Sequence, residues 1–100
     1  MSKLEAAYQR DLIKRIKATL PGAIVLKTDP TYLQGIPDLL VLYHDKYALL
    51  EVKKSATASH RPNQGYYVDL FNDWSYSAFV YPENEEDILD ELQSALRISR

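Results

Sequence analysis

The sequence contains no cysteine, only three glycines and no long apolar run. Without cysteine the chain can form neither a disulfide framework nor a thiolate metal site, which is typical of a reducing compartment. No apolar run reaches the length that spans a membrane, and the N-terminal residues follow a polar helical pattern instead of the apolar core of a signal peptide. We therefore expect a cytoplasmic protein.

The remaining composition is that of one globular domain over residues 1–100. The chain is 46% hydrophobic and 26% charged, which suffices for one modest core. Its net charge of −2 conceals an asymmetry, since residues 1–62 carry ten Lys and Arg against six Asp and Glu (net +4) and residues 63–100 carry two against eight (net −6). A basic first part permits a phosphate-binding surface without requiring one.

Hydrophobic periodicity and turn residues predict the element order α-β-β-β-α-β-α. Ser2 and Glu5 form a capping box that opens the first helix, Pro62 opens the second, and Pro82 with Asn84 opens the last. The predicted strands cover residues 23–28, 38–43, 47–53 and 76–81. The middle two form a hairpin and are almost wholly apolar, which indicates strands covered on both faces. Together these elements predict an α/β fold, with a mixed sheet between helices.

Charged residues interrupt the two hairpin strands. Asp38 opens one strand and Glu51 lies late in the other, so an antiparallel pairing brings them within about one residue of being opposite. Lys53 points to the same face as Glu51. Two carboxylates with a backbone carbonyl and water suit Mg²⁺, and a neighbouring lysine can stabilise developing charge, as in metal-assisted phosphodiester hydrolysis. Alternatively, the three residues form only an ion-pair cluster at the end of a sheet.

The segments GIPDLL (residues 35–40) and EVK (residues 51–53) resemble the active-site signature of the PD-(D/E)XK nuclease superfamily. The Gly-x-Pro-Asp motif, followed by HRPNQ (residues 60–64), is particularly similar to the corresponding motifs of small stand-alone VRR-NUC domains. Restriction endonucleases and archaeal-type Holliday junction resolvases belong to the same superfamily. The resemblance covers nearly the whole chain and implies a restriction-endonuclease-like mixed β-sheet flanked by helices.

The resemblance also implies roles for individual residues. Asp38 and Glu51 would bind Mg²⁺ or Mn²⁺ together with the backbone carbonyl of Val52, and Lys53 would position or activate the nucleophile. Gln64 matches a glutamine that these domains place near the site.

Glu5 matches an acidic residue that many members of the superfamily carry on the first helix, as a direct or outer ligand, although the capping box explains it equally well. Basic residues around the signature are candidates for contacts with DNA phosphates. They are Lys27, Lys54, His60 and Arg61. The acidic start of the last helix is expected to point away from DNA.

We therefore expect a Mg²⁺- or Mn²⁺-dependent endonuclease that hydrolyses DNA phosphodiester bonds. A chain of this size has little surface with which to recognise a DNA base sequence. Cleavage selective for branched or junction DNA is therefore favoured over sequence-specific cleavage. A homodimer would present two sites to two strands, and the eight tyrosines favour an oligomer interface. The resemblance suggests a phage or DNA-repair context in a bacterial or phage-infected cell. The alternative is a nucleic-acid-binding or assembly module on a nuclease-like fold, with weak or no catalysis.

Overall fold

The computed structural model describes residues 3–60 and 63–97. Ser2, Arg61 and Pro62, to which roles are assigned above, lie outside this part of the chain. The predicted element order and fold class are confirmed. The elements are α1 (Lys3–Thr19), β1 (Ile24–Lys27), β2 (Leu39–Tyr43), β3 (Lys46–Val52), α2 (Gln64–Trp74), β4 (Tyr76–Val80) and α3 (Glu85–Ala95). In the described ranges, no helix combines the length and apolar content that a membrane span requires.

The four strands form one mixed sheet in the order β1-β2-β3-β4. β2 pairs antiparallel with β1 and with β3, whereas β4 runs parallel to β3 after the crossover through α2. The end of β1, the start of β2 and the ends of β3 and β4 therefore meet at one edge of the sheet, which we call the upper edge. It is marked by Lys27, Leu39, Val52 and Val80.

The β2–β3 hairpin fixes the register of the two central strands. Tyr43 pairs with Lys46, so the turn has two residues, one fewer than predicted. Its first residue, His44, has a φ of 58°, as a tight hairpin turn requires of a central residue. Leu39 lies opposite Leu50 at the other end of the hairpin, and one further step along this register places residue 38 opposite residue 51.

One face of the sheet packs against α1 and α3 and forms the main apolar core. Leu12 and Ile16 of α1 and Leu92 of α3 are fully buried there with Val41 and Leu50 of the sheet. Burying such a side chain contributes about 1.5–3 kcal/mol relative to leaving it in water.

The first turn of α1 lies beyond this core. Leu4 belongs to the apolar stripe of the sequence, yet it is 76% exposed, because the buried residues of α1 begin only at Gln9. This turn instead carries Glu5 towards the upper edge of the sheet.

The other face of the sheet is only partly covered, because α2 packs on β3 and β4. The prediction that both hairpin strands are covered on both faces therefore holds for β3, but β2 keeps Leu40 and Leu42 half-exposed on this face. On the adjoining strand β1, Ile24 and Leu26 are exposed. α2 thus leaves the β1–β2 half of this face open to solvent.

Asn84 stands before α3, as predicted, but it stabilises the preceding turn and makes no side-chain cap. Its Oδ1 accepts a hydrogen bond from the Tyr81 N–H (2.9 Å), and its Nδ2 donates to the Phe79 carbonyl (3.0 Å). Arg15 pairs with Glu85 at 2.8 Å and joins α1 to the start of α3. The acidic start of α3 is therefore fixed directly after the upper end of β4.

Candidate active site

A cleft of about 600 Å³ opens at the upper edge. Its walls are the first turn of α1, the loop of residues 29–36, the end of β3, residues 58–59 and the start of α2. The ionisable and amide side chains that line it belong to Glu5, Asp38, Glu51, Lys53, Lys54 and Gln64. The fold thus brings six of the predicted site residues together.

Asp38 is held by hydrogen bonds to both neighbouring strands. The N–H of Thr28, just after β1, donates to the Asp38 carbonyl (2.9 Å), and the Thr28 hydroxyl donates to the Pro37 carbonyl (2.6 Å). On the other side, the Val52 N–H donates to the Asp38 Oδ2 at 2.9 Å. These contacts hold the Asp38 carboxylate against the end of β3, beside Glu51.

Glu51 is a buried carboxyl group, with 1% of its surface exposed. Burial raises its pKa to about 9, and the hydrogen bond and negative charge of Asp38 add to this, while the Lys53 ammonium opposes it. Its Oε2 is buried and has no hydrogen-bond donor. At neutral pH Glu51 therefore retains its proton, and its protonated carboxyl group donates a hydrogen bond to the Asp38 carboxylate.

Lys53 is also buried, but its ammonium is hydrogen-bonded. Its Nζ donates to the Gln64 Oε1 at 2.6 Å and to the Ser59 carbonyl at 3.2 Å, while its backbone N–H donates to the Val80 carbonyl at 2.8 Å. Gln64, the first residue of α2, thus fixes the direction of the lysine side chain. This contact gives the predicted glutamine a physical role in the site.

The carboxylate pair fits a hard cation. A buried oxygen without a donor suits a cation ligand, because the cation supplies positive charge that Lys53 provides only in part. Within residues 3–60 and 63–97, no three His, Asp or Glu side chains are arranged to hold a metal ion. A cation here would complete its shell with backbone oxygen and water, as Mg²⁺ commonly does. Glu5 lines the same cleft, and its charge also raises the pKa of Glu51.

The other predicted DNA contacts are distributed around the cleft. Lys54 lines it and is exposed. Lys27 is exposed at the upper edge, but its pairing with Leu39 places it on the α1–α3 side of the sheet. His60 is exposed and stacks on the ring of Phe79, with centroids 4.2 Å apart.

The acidic residues before and within the first turn of α3 also lie at the upper edge, on the β4 side. Glu83 accepts a hydrogen bond from the Ala56 N–H (3.2 Å), and Glu85 is paired with Arg15. None of the carboxylates of residues 83–87 is among the residues that line the cleft. They border the site without entering it.

One close contact in the wall of the cleft was missed by the sequence reasoning. Gly35 has a φ of 92°, and a Cβ placed on it would lie 2.6 Å from the Cβ of Asn63 and 2.9 Å from its backbone carbon. Asn63 directly precedes α2. The glycine of the signature was an available signal for the tight backbone, but no local pattern identifies its partner 28 positions later in the chain.

Several solved structures have the same fold. A protein described as a VRR_NUC domain superposes with a TM-score of 0.71 at 24% sequence identity, over 89% of this chain and 97% of that one. A second VRR_NUC domain protein gives a TM-score of 0.67 at 12% identity, over 99% of this chain and 93% of that one. Hjc from Archaeoglobus fulgidus, a Holliday junction resolvase from an archaeal hyperthermophile, gives a TM-score of 0.52 at 15% identity, over 76% of this chain and 67% of that one. The resemblance found in the sequence is thus confirmed at the level of the fold.

No protein-family model matches the sequence, and the search of curated proteins finds no match. At these identities the structural likeness establishes the fold, and the activity has to be argued from the site.

Proposed function

We propose that this protein is a divalent-metal-dependent endonuclease that hydrolyses DNA phosphodiester bonds. The observation that carries the proposal is the composition of the cleft, where the buried Glu51 and the partly buried Asp38 lie beside a buried lysine whose ammonium is hydrogen-bonded to Gln64. An ion-pair cluster at the end of a sheet would leave no buried carboxylate oxygen without a donor, but Glu51 has one. The likeness in fold to VRR_NUC domains and to a Holliday junction resolvase supports the same proposal.

Asp38 and Glu51 would hold Mg²⁺ or Mn²⁺ in this site, with the Val52 carbonyl as a further ligand, and Glu5 would act as an outer partner through water instead of as a third carboxylate ligand. When bound, the ion supplies Lewis-acid chemistry, because it withdraws charge from a phosphoryl oxygen and makes a nucleophile available near neutral pH. Lys53 places a positive charge where negative charge develops on the phosphate. Gln64 keeps that ammonium in place, and Lys54 at the mouth of the cleft attracts the DNA backbone.

Cleavage of supercoiled plasmid and of a synthetic four-way junction with Mn²⁺ tests the proposal. We expect the wild type to cut DNA only with the metal, and Glu51→Ala to lose this activity while remaining folded by circular dichroism. Faster cutting of the junction than of a linear duplex of the same sequence would support selectivity for branched DNA. Metal-independent binding without cleavage of any substrate would contradict the proposal and favour the binding-module alternative.

We further propose that the active form is a homodimer. Each chain has one such cleft among its described residues, so cutting the two strands of a branched molecule needs a second copy. The molecular mass in solution, measured by light scattering with and without junction DNA, should equal that of two chains. A mass of one chain at the assay concentration, with DNA bound, would contradict paired sites but not the hydrolytic chemistry of a single cleft.

A further inference from the structure

The loop of residues 29–36 forms the β1–β2 side of the cleft. Pro30, Thr31 and Gln34 of this loop line the cleft wall. Tyr32, between them, is 90% exposed. An aromatic ring therefore projects into solvent from the rim of the cleft that holds Asp38 and Glu51.

Hydrogen bonds to Asp29 hold this loop in one conformation. The Asp29 Oδ1 accepts from the Thr31 N–H (2.9 Å), from the Thr31 hydroxyl (2.5 Å) and from the Tyr32 N–H (3.3 Å). The Asp29 carbonyl accepts from the N–H groups of Tyr32 and Leu33, each at 3.2 Å. The bonds from Thr31 lower the pKa of Asp29, so its carboxylate stays an acceptor at neutral pH. The backbone of Tyr32 is thus fixed before any ligand arrives, which reduces the entropic cost of binding.

The acidic residues at the upper edge favour the approach of a polyanion from the β1–β2 side of the cleft. On the β4 side, Glu83 and the acidic first turn of α3 present negative charge. On the β1–β2 side, the exposed Lys27 offsets the charge of Asp29, and Lys54 lines the cleft itself. Nucleic acid is therefore repelled from the β4 flank more than from the flank that carries Tyr32.

We propose that Tyr32 is a stacking platform for an unpaired nucleobase next to the phosphate that is cut. The inference rests on the proposed action on DNA and adds a cause for selectivity. In a regular duplex both faces of a base are occupied by its neighbours, whereas a flap or a branch point offers a free face to an aromatic ring. A fixed and exposed tyrosine at the rim of the cleft therefore favours branched or single-stranded DNA over duplex.

Binding of a single-stranded flap tests this role. The probe is a duplex with a short flap that carries 2-aminopurine at its first unpaired position, and the reference is a fully paired duplex of equal length. Both are measured in the Glu51→Gln background, so that the DNA stays intact. Tyr32→Ala should weaken flap binding about tenfold, within the range for loss of one stacked base, and abolish quenching of the 2-aminopurine. It should change duplex binding less than about twofold, since the duplex offers no free base to stack.

Two further variants serve as controls. Tyr32→Phe keeps the ring and should retain both the affinity and the quenching. Tyr66→Ala removes a tyrosine that is 64% exposed on α2 and absent from the cleft lining, and it should have no effect.

Three results would overturn the inference. The first is that Tyr32→Ala weakens the binding of flap and of duplex DNA equally, and the second is that quenching of 2-aminopurine is unchanged in that variant. The third is a changed oligomeric mass with normal quenching, which would assign Tyr32 to an interface between copies. The cleavage assay of the wild type separates this inference from the proposed function. If the wild type cuts DNA but Tyr32→Ala binds normally, only the stacking role fails; if the wild type cuts no DNA, the proposed function fails whatever the probe reports.

Discussion

Glu51→Gln should raise the melting temperature of the metal-free protein at pH 8 by about 5 °C or more, although it should also abolish metal-dependent cleavage. The carboxyl group is 1% exposed, and one of its oxygens has no donor. Glutamine has nearly the same shape but no charge to bury and no proton to acquire. The variant therefore removes the cost of placing an ionisable group at this position.

The gain should depend on pH. The pKa of Glu51 is about 9 in the folded protein and 4.5 for the unperturbed group, so between these values the folded state holds a proton that the unfolded state releases. Folding stability of the wild type consequently falls as pH rises through this window, by up to about 1.4 kcal/mol per pH unit from this group. The difference in melting temperature between Glu51→Gln and wild type should be small at pH 5 and large at pH 8.

Bound metal should reverse the order of the two melting temperatures, so that the wild type becomes more stable than Glu51→Gln. A cation held by Asp38 and Glu51 stabilises the folded wild type by mass action, and it must displace the proton of Glu51, so its affinity should rise with pH up to about 9. Differential scanning calorimetry with Mg²⁺, Mn²⁺ or Ca²⁺ should show stabilisation of the wild type and none of Glu51→Gln. Glu86→Gln, on the exposed start of α3, is the matched control and should show no such dependence on pH or metal. Equal melting temperatures of Glu51→Gln and wild type at pH 8 would contradict the buried, protonated state of Glu51.

Gly35→Ala should destabilise the protein by about 3 kcal/mol and reduce cleavage more than tenfold. Part of the cost is the positive φ of 92°, which an alanine adopts at about 1–2 kcal/mol. The rest is the collision of the new Cβ with Asn63, at 2.6 Å from its Cβ. Because Asn63 directly precedes Gln64, any shift that relieves the collision also moves the amide that holds Lys53.

Gly22→Ala is the matched control for Gly35→Ala. Gly22 has a φ of 93°, but a Cβ there meets no atom within 4 Å, so only the backbone cost applies. Urea unfolding of both variants isolates the cost of the collision, and kcat measured on junction DNA reports its effect on the site. Adding Asn63→Gly should recover part of the loss, since it removes the 2.6 Å contact but leaves backbone atoms of residue 63 at 2.9 and 3.1 Å. Identical behaviour of Gly35→Ala and Gly22→Ala would show that the loop accommodates the methyl group.

The surroundings of Glu51 and of Gly35 also show what the sequence can predict and what it cannot. Asp38 and Glu51 could be paired from the sequence, because a short hairpin turn fixes which residues face each other along both strands. The element order followed from the same local signals. The neighbours of Lys53 and Gly35 were beyond such reasoning, since Gln64 and Asn63 reach them only through the crossover that places α2. The extent of coverage of β2 was also mispredicted, because an apolar residue on an open face is indistinguishable in sequence from one beneath a helix.

The mixed pairing of the sheet has a consequence for the order in which the site assembles. The carboxylates belong to an antiparallel hairpin with a two-residue turn, a contact between near neighbours that forms on the microsecond scale. The hydrogen bond from Lys53 to Gln64 forms only after α2 has packed on the sheet. The backbone hydrogen bond from Lys53 to Val80 requires β4 to pair in parallel with β3. Both contacts form more slowly than the hairpin because they close a longer loop of chain. A partly folded chain can thus bring its carboxylates together without an oriented lysine, so the proposed hydrolysis would require the complete fold.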